Sequence, residues 1–99
     1  MNTDRELLEL AAKAAGIEVN DDMRELWQFK GSSAWNPLTD DGDALRLAVK
    51  LGLMIDYATK TEVGVGNGFG DFYEKSGTDP YAATRRAIVR AAAEIGRSM

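Results

Sequence analysis

Apolar residues recur with helical period in three stretches of the chain and alternate with polar ones between them. Leu7, Leu10, Ala11 and Ala14, with Leu8 and Ala15 beside them, share one face of a helix. They follow Thr3-Asp4-Arg5-Glu6, where the Thr3 hydroxyl can take the third backbone N–H and Glu6 can reach back to the cap. This predicts a helix over residues 4–15, stopped by Gly16 in the left-handed conformation. From Ile17 to Lys30 the period shortens. Ile17 and Val19 alternate with polar residues, and Leu26-Trp27-Gln28-Phe29 is short and aromatic, predicting two strands that turn at Asn20-Asp21-Asp22. A helical turn over 21–26 is the alternative.

Gly31-Ser32-Ser33 reads as loop, and Pro37 holds Trp35-Asn36-Pro37-Leu38 extended. A second helix follows, capped by Thr39 or Asp40, with Asp40, Asp41 and Asp43 at its positive end. Ala44, Leu45, Ala48, Val49 and Leu51 form its apolar face, and Gly52 stops it. Residues 53–59 read as a strand, Lys60-Thr61-Glu62 as a turn, and Val63 and Val65 as a second strand alternating with glycine, with room for a third over 69–74. Asp79-Pro80 starts a third helix, because Asp79 can cap and proline fits the first helical position. That helix extends to about residue 95. Tyr81, Thr84, Ile88, Ala91, Ala92 and Ile95 share one arc, with Arg86, Arg90 and Arg97 on the other side. The order α-β-β-α-β-β-(β)-α, with strands arriving in hairpins, predicts an α+β fold: a single layer of antiparallel sheet with helices on both faces.

The 99 residues make one domain, residues 1–99, with a core small enough that a partner subunit would help to stabilise it. A symmetric homodimer is the expected assembly. The chain has no cysteine and no histidine, which removes disulfides, thiol nucleophiles, Cys/His zinc sites and imidazole chemistry together. Net charge is −4, with a pI near 4.7, the wrong sign for a general nucleic-acid binder. The polar start is unlike a signal peptide, and no stretch is apolar for long enough to span a membrane, so a cytoplasmic location is expected.

Clustered carboxylates in Asp40-Asp41-Gly42-Asp43 invite a Mg²⁺ or Ca²⁺ reading. The spacing lacks the later bidentate glutamate of a calcium loop, and the helix dipole accounts better for aspartates at this position. Gly64-Val65-Gly66-Asn67-Gly68-Phe69-Gly70 resembles a phosphate cradle in composition only. It has neither the dinucleotide spacing nor a following helix, and a flexible hairpin, or an edge strand where another backbone comes close, is preferred. In the third helix Arg85 falls at the margin of the apolar arc, where a guanidinium finds either a carboxylate or a ligand. Trp35 as a stacking surface, Asn36 as a reader of a base edge, and Asp41, Arg46, Arg85 and Arg86 would together form an anion or nucleotide pocket. The plainer alternative is a solvated basic face paired with Glu94, or Arg85 paired with an aspartate of the second helix. Trp27, Phe29, Tyr57, Phe69, Phe72 and Tyr73 are expected in the sheet core or an interface. No carboxylate, lysine or tyrosine lies next to a credible nucleophile, so no catalytic residue, metal or cofactor is assigned.

The strings Trp35-Asn36-Pro37-Leu38-Thr39-Asp40-Asp41-Gly42-Asp43-Ala44-Leu45-Arg46-Leu47-Ala48-Val49 and Asp79-Pro80-Tyr81-Ala82-Ala83-Thr84-Arg85-Arg86-Ala87-Ile88-Val89-Arg90-Ala91-Ala92-Ala93-Glu94-Ile95-Gly96, with the opening Arg5-Glu6-Leu7-Leu8-Glu9-Leu10-Ala11-Ala12-Lys13-Ala14-Ala15-Gly16-Ile17, carry a resemblance over nearly the whole chain. The chain resembles small phage and prophage proteins of the phage ABA sandwich family. The resemblance implies a sheet held between helical layers and expression in the cytoplasm of an infected bacterial host. Small acidic phage proteins of this kind resemble counter-defence factors, some of which sequester nucleotide immune signals. The expected function is therefore non-enzymatic sequestration of a small nucleotide-type ligand. The alternative is a protein-interaction factor that inhibits or redirects a host protein through its acidic surface, with Asp40, Asp41 and Asp43 as the important residues.

Overall fold

The computed structural model describes residues 3–17, 35–57, 59, 61–68 and 70–99. They form α1 (Asp4–Ala15), α2 (Asp41–Leu51), β1 (Met54–Asp56), β2 (Glu62–Gly66), β3 (Asp71–Lys75) and α3 (Pro80–Arg97). The expected α+β class holds, with a three-stranded antiparallel sheet in the order β1-β2-β3. The two strands expected over 17–30, the loop at 31–33 and the core roles of Trp27, Phe29 and Phe69 lie outside the described residues.

The helix ends follow their capping chemistry. At α1 the Thr3 hydroxyl accepts the Glu6 N–H at 3.2 Å while the Thr3 N–H donates to Glu6 Oε1 at 3.3 Å, the reciprocal pair expected. Asp40 accepts the Asp43 N–H at 2.8 Å, and Asp79 accepts the Ala82 N–H at 3.0 Å. Gly16 and Gly52 end α1 and α2 in the left-handed region, at φ 71° and 64°. The residue after each glycine then donates to a carbonyl five positions back, Ile17 to Ala12 and Leu53 to Ala48, both at 2.9 Å.

Packing selects between stripes that the sequence leaves open. On α2 the buried residues are Ala44, Leu47 and Ala48, with Leu51 half-buried, a regular i, i+3, i+4, i+7 stripe. The expected face included Leu45 and Val49, and these are instead 59% and 73% exposed. Both stripes are apolar and overlap, and contact with α3 decides which is used. α3 itself is buried over a wider arc than expected: Ala83, Ala87, Ile88, Val89, Ala91, Ala92, Ala93 and Gly96 cover most of its circumference. The cause is that α1, α2 and the strands β2 and β3 all pack against it. Tyr81, assigned to the arc, sits at the first turn and is 69% exposed.

α1 and α3 run parallel: Asp4 meets Arg86, the Leu10 carbonyl lies against Gly96, and Lys13 reaches the Met99 carbonyl. A Cβ at Gly96 would stand 2.0 Å from the Leu10 carbonyl oxygen, so only glycine permits this approach. The sheet turns Ile55, Val63, Val65, Phe72 and Glu74 toward α3. Val63 and Val65 are fully buried, and Arg90 of α3 lies over the Phe72 ring, 5.5 Å from its centroid, while binding the Glu74 carboxylate and the Tyr73 carbonyl. The opposite face carries Met54, Asp56, Glu62, Gly64, Gly66, Asp71, Tyr73 and Lys75. β1 is shorter than the strand expected over 53–59, and β3 starts two residues and ends one residue later than the strand expected over 69–74. Of the aromatics expected in the sheet core or an interface, Tyr57 and Tyr73 are exposed, and Phe72 packs against the core.

Candidate functional site

A cleft of about 260 Å³ opens between the first turns of α2 and α3 and the end of β1. Ala44, Leu45, Ile55 and Ile88 give it an apolar interior, and Tyr57, Tyr81, Thr84, Arg85 and Asp41 complete its lining. Each element contributes for a local reason. Asp79 and Pro80 fix the start of α3, so that Tyr81, Thr84, Arg85 and Ile88, at i, i+3, i+4 and i+7, fall on one side. Asp40 fixes the start of α2 and brings Asp41, Ala44 and Leu45 to the same opening.

Arg85 is the cation of the cleft. Its side chain is largely covered; Nε donates to the Leu38 carbonyl at 2.9 Å and Nη1 to Asp41 Oδ1 at 2.6 Å. Two of the five guanidinium N–H groups are thereby committed, and the rest remain available to an acceptor. The Tyr57 hydroxyl lies 2.9 Å from Thr84 Oγ1, which donates its own proton to the Pro80 carbonyl at 2.8 Å. Tyr57 is therefore the donor in that pair, and its oxygen lone pairs are left to accept an N–H at the rim. Stacking surface, a hydrogen-bond acceptor and a guanidinium thus border one apolar slot.

Of the six candidate residues, the fold brings Asp41 and Arg85 together and places the others elsewhere. Trp35 is 7% exposed within the core cluster, so it offers no stacking surface. Asn36 shapes the turn into α2: its side-chain oxygen accepts the Leu38 N–H and its own N–H donates to Asp43 Oδ2, both at 3.0 Å. Arg46 pairs with Asp43 at 2.9 Å along the outside of its own helix, roughly 140° round from Asp41. Arg86 pairs with Asp4 at 3.1 Å, on the α1 side. The plainer reading thus describes most of the arginines: Arg85 pairs with Asp41 of the second helix and Arg97 with Glu94, while Arg46, Arg86 and Arg90 take Asp43, Asp4 and Glu74. The aspartate run serves as cap and ion-pair partner, and among the described residues no group of carboxylates is arranged to hold a metal ion. The glycine run forms the β2–β3 hairpin, with β2 central in the sheet.

Sequence reasoning missed Tyr81 as a site residue and assigned Tyr57 to the sheet core or an interface. For Tyr81 the available signal was position, directly after the Asp79-Pro80 helix start; for Tyr57 there was none, because the strand expected over 53–59 placed it inside an element that in fact ends at Asp56. Comparison with protein-family models, with curated proteins and with solved structures finds no match for this chain.

Proposed function

We propose that this chain is a non-enzymatic binder that sequesters a small nucleotide-type ligand in the α2–β1–α3 cleft. The observation that carries this reading is the grouping of two exposed tyrosines and the partly committed Arg85 guanidinium around one apolar slot. A base ring would lie against a tyrosine, an exocyclic amine would donate to the Tyr57 oxygen, and a phosphate would take the remaining Arg85 donors. Arg85 and Asp41 balance one another, which favours a ligand presenting one phosphate to the cleft over one that buries several. Trp35, Asn36, Arg46 and Arg86 have no place in this version of the site.

Leu45 and Val49, exposed one turn apart on the rim helix, support closure of the cleft by a second copy. The resemblance to the phage ABA sandwich family supports a setting in the infected host cytoplasm and a role in counter-defence. Among the described residues no helix is long and apolar enough to cross a membrane.

A thermal-shift screen against cyclic di- and trinucleotides, cyclic ADP-ribose isomers, NAD and ADP-ribose tests the reading, with mass spectrometry of what heating releases. A ligand at 100 times its Kd adds about 2.7 kcal/mol, a Tm rise of roughly 10 °C for a domain of this size. A shift with the nucleotide recovered intact is expected. Recovery of a cleaved product would overturn the non-enzymatic assignment, and no shift across the panel would overturn nucleotide binding.

A further inference from the structure

Ion pairing divides the described acidic residues into two sets. Asp4, Glu9, Asp40, Asp41, Asp43, Glu74 and Glu94 face arginines, and Glu6 and Asp79 cap helices. Asp56, Glu62 and Asp71 do neither, and all three lie on the sheet face turned away from α3. The described carboxylates that neither pair nor cap are therefore gathered on one surface, where Lys75 stands in register with Glu62 and leaves Asp56 and Asp71 beside the central glycines, and that surface is not the aspartate run at the start of α2.

The same face has a shape. Gly64 and Gly66 of the central strand form its floor, flanked in register by Asp56 and Tyr73 and by Met54 and Asp71. A shallow trough of about 110 Å³ is lined by these six residues. The Tyr73 ring leans into the space a Cβ at Gly64 would fill, 2.7 Å from its Cε1, and Asp71 Oδ1 occupies the corresponding space at Gly66, at 2.8 Å. The glycines thus let an aromatic ring and a carboxylate settle onto the sheet, yet Tyr73 remains 56% exposed and Met54 more so.

We propose that this outer sheet face docks an extended basic segment of a partner protein, with arginine side chains as its anchors. An arginine offers what the trough lacks: a planar cation that stacks on the Tyr73 ring and forks to Asp56 or Asp71, on a stem that covers Met54. Alternate residues of an extended segment point the same way about 7 Å apart, so two arginines at i and i+2 would reach the two carboxylates on either side of the glycine floor. This surface faces away from α3, so it operates whether or not the cleft holds a ligand.

The test is fluorescence anisotropy with a labelled peptide in which arginine alternates with serine, run on the full chain beside its all-lysine counterpart. Wild type should bind the arginine peptide more tightly than the lysine peptide, and more weakly as salt rises. Asp56→Asn/Asp71→Asn should bind about three- to tenfold more weakly, the range expected for two exposed charge pairs. Glu9→Gln/Glu94→Gln removes the same charge elsewhere and should stay within about twofold of wild type. Equal weakening in both double variants, no weakening in either, or no preference for arginine would each overturn the proposal. All four positions are solvent-accessible, so folding of the variants is expected, and circular dichroism checks it. Amide shifts on peptide addition should fall on β1–β3; shifts confined to Tyr57, Tyr81 and Arg85 would overturn the assignment to this face.

Discussion

The two flanks of α3 are built on opposite rules. Toward α1 the two helices close at Gly96 until backbone meets backbone. Toward α2 and β1 larger side chains, Leu45, Tyr57 and Tyr81, stand at the surface and leave a cleft. The first flank has no room for an added methyl group; the second has room for a molecule. One helix thus separates the part of the domain that fixes its stability from the part free to bind, and substitutions on the two flanks should differ sharply.

The largest effect is expected at Gly96→Ala, where the new Cβ meets the Leu10 carbonyl and α1 must move. A loss of about 3 kcal/mol in urea unfolding is expected, the upper part of the range for overpacking. A loss under about 0.5 kcal/mol would show that the flanks are equally tolerant. Removal of the α3 cap by Asp79→Ala should cost about 1 kcal/mol in the same measurement, and because it frays the turn carrying Tyr81 it should also loosen the cleft. Leu45→Ala, which removes three carbons where Gly96→Ala adds one, should change stability by no more than about 0.5 kcal/mol, since the side chain is mostly in water already. A greater loss would mean that the rim is covered in solution, and sedimentation would then show a second copy.

The contrast also separates what the sequence discloses from what it conceals. Helix starts at Thr3, Asp40 and Asp79 and helix stops at Gly16 and Gly52 are local chemistry, written in residues three or four apart, and they were legible. The use of Gly96 was not, because its meaning depends on how closely a helix more than eighty residues earlier approaches. The same distance hides the Arg86–Asp4 pair, while Arg85–Asp41 was anticipated only as one alternative. Trp35 reads from sequence as a stacking surface, and only the assembled core shows the residue buried there. On α2 two apolar stripes compete, and periodicity cannot choose between Leu47 and the Leu45–Val49 pair. The site was legible as far as Arg85 and Asp41; its aromatic part, Tyr57 and Tyr81, depended on which face each element turned outward.

The most direct measurement of the central claim is calorimetric titration of wild type and Tyr81→Ser with whichever nucleotide of the panel raises Tm most. Tyr81 is exposed, so its replacement should leave unfolding within about 0.5 kcal/mol of wild type. If the cleft is the binding site, affinity should fall about tenfold, the loss of one aromatic stacking contact worth roughly 1.4 kcal/mol. Unchanged affinity in the folded variant would contradict the cleft as the place where the ligand is held.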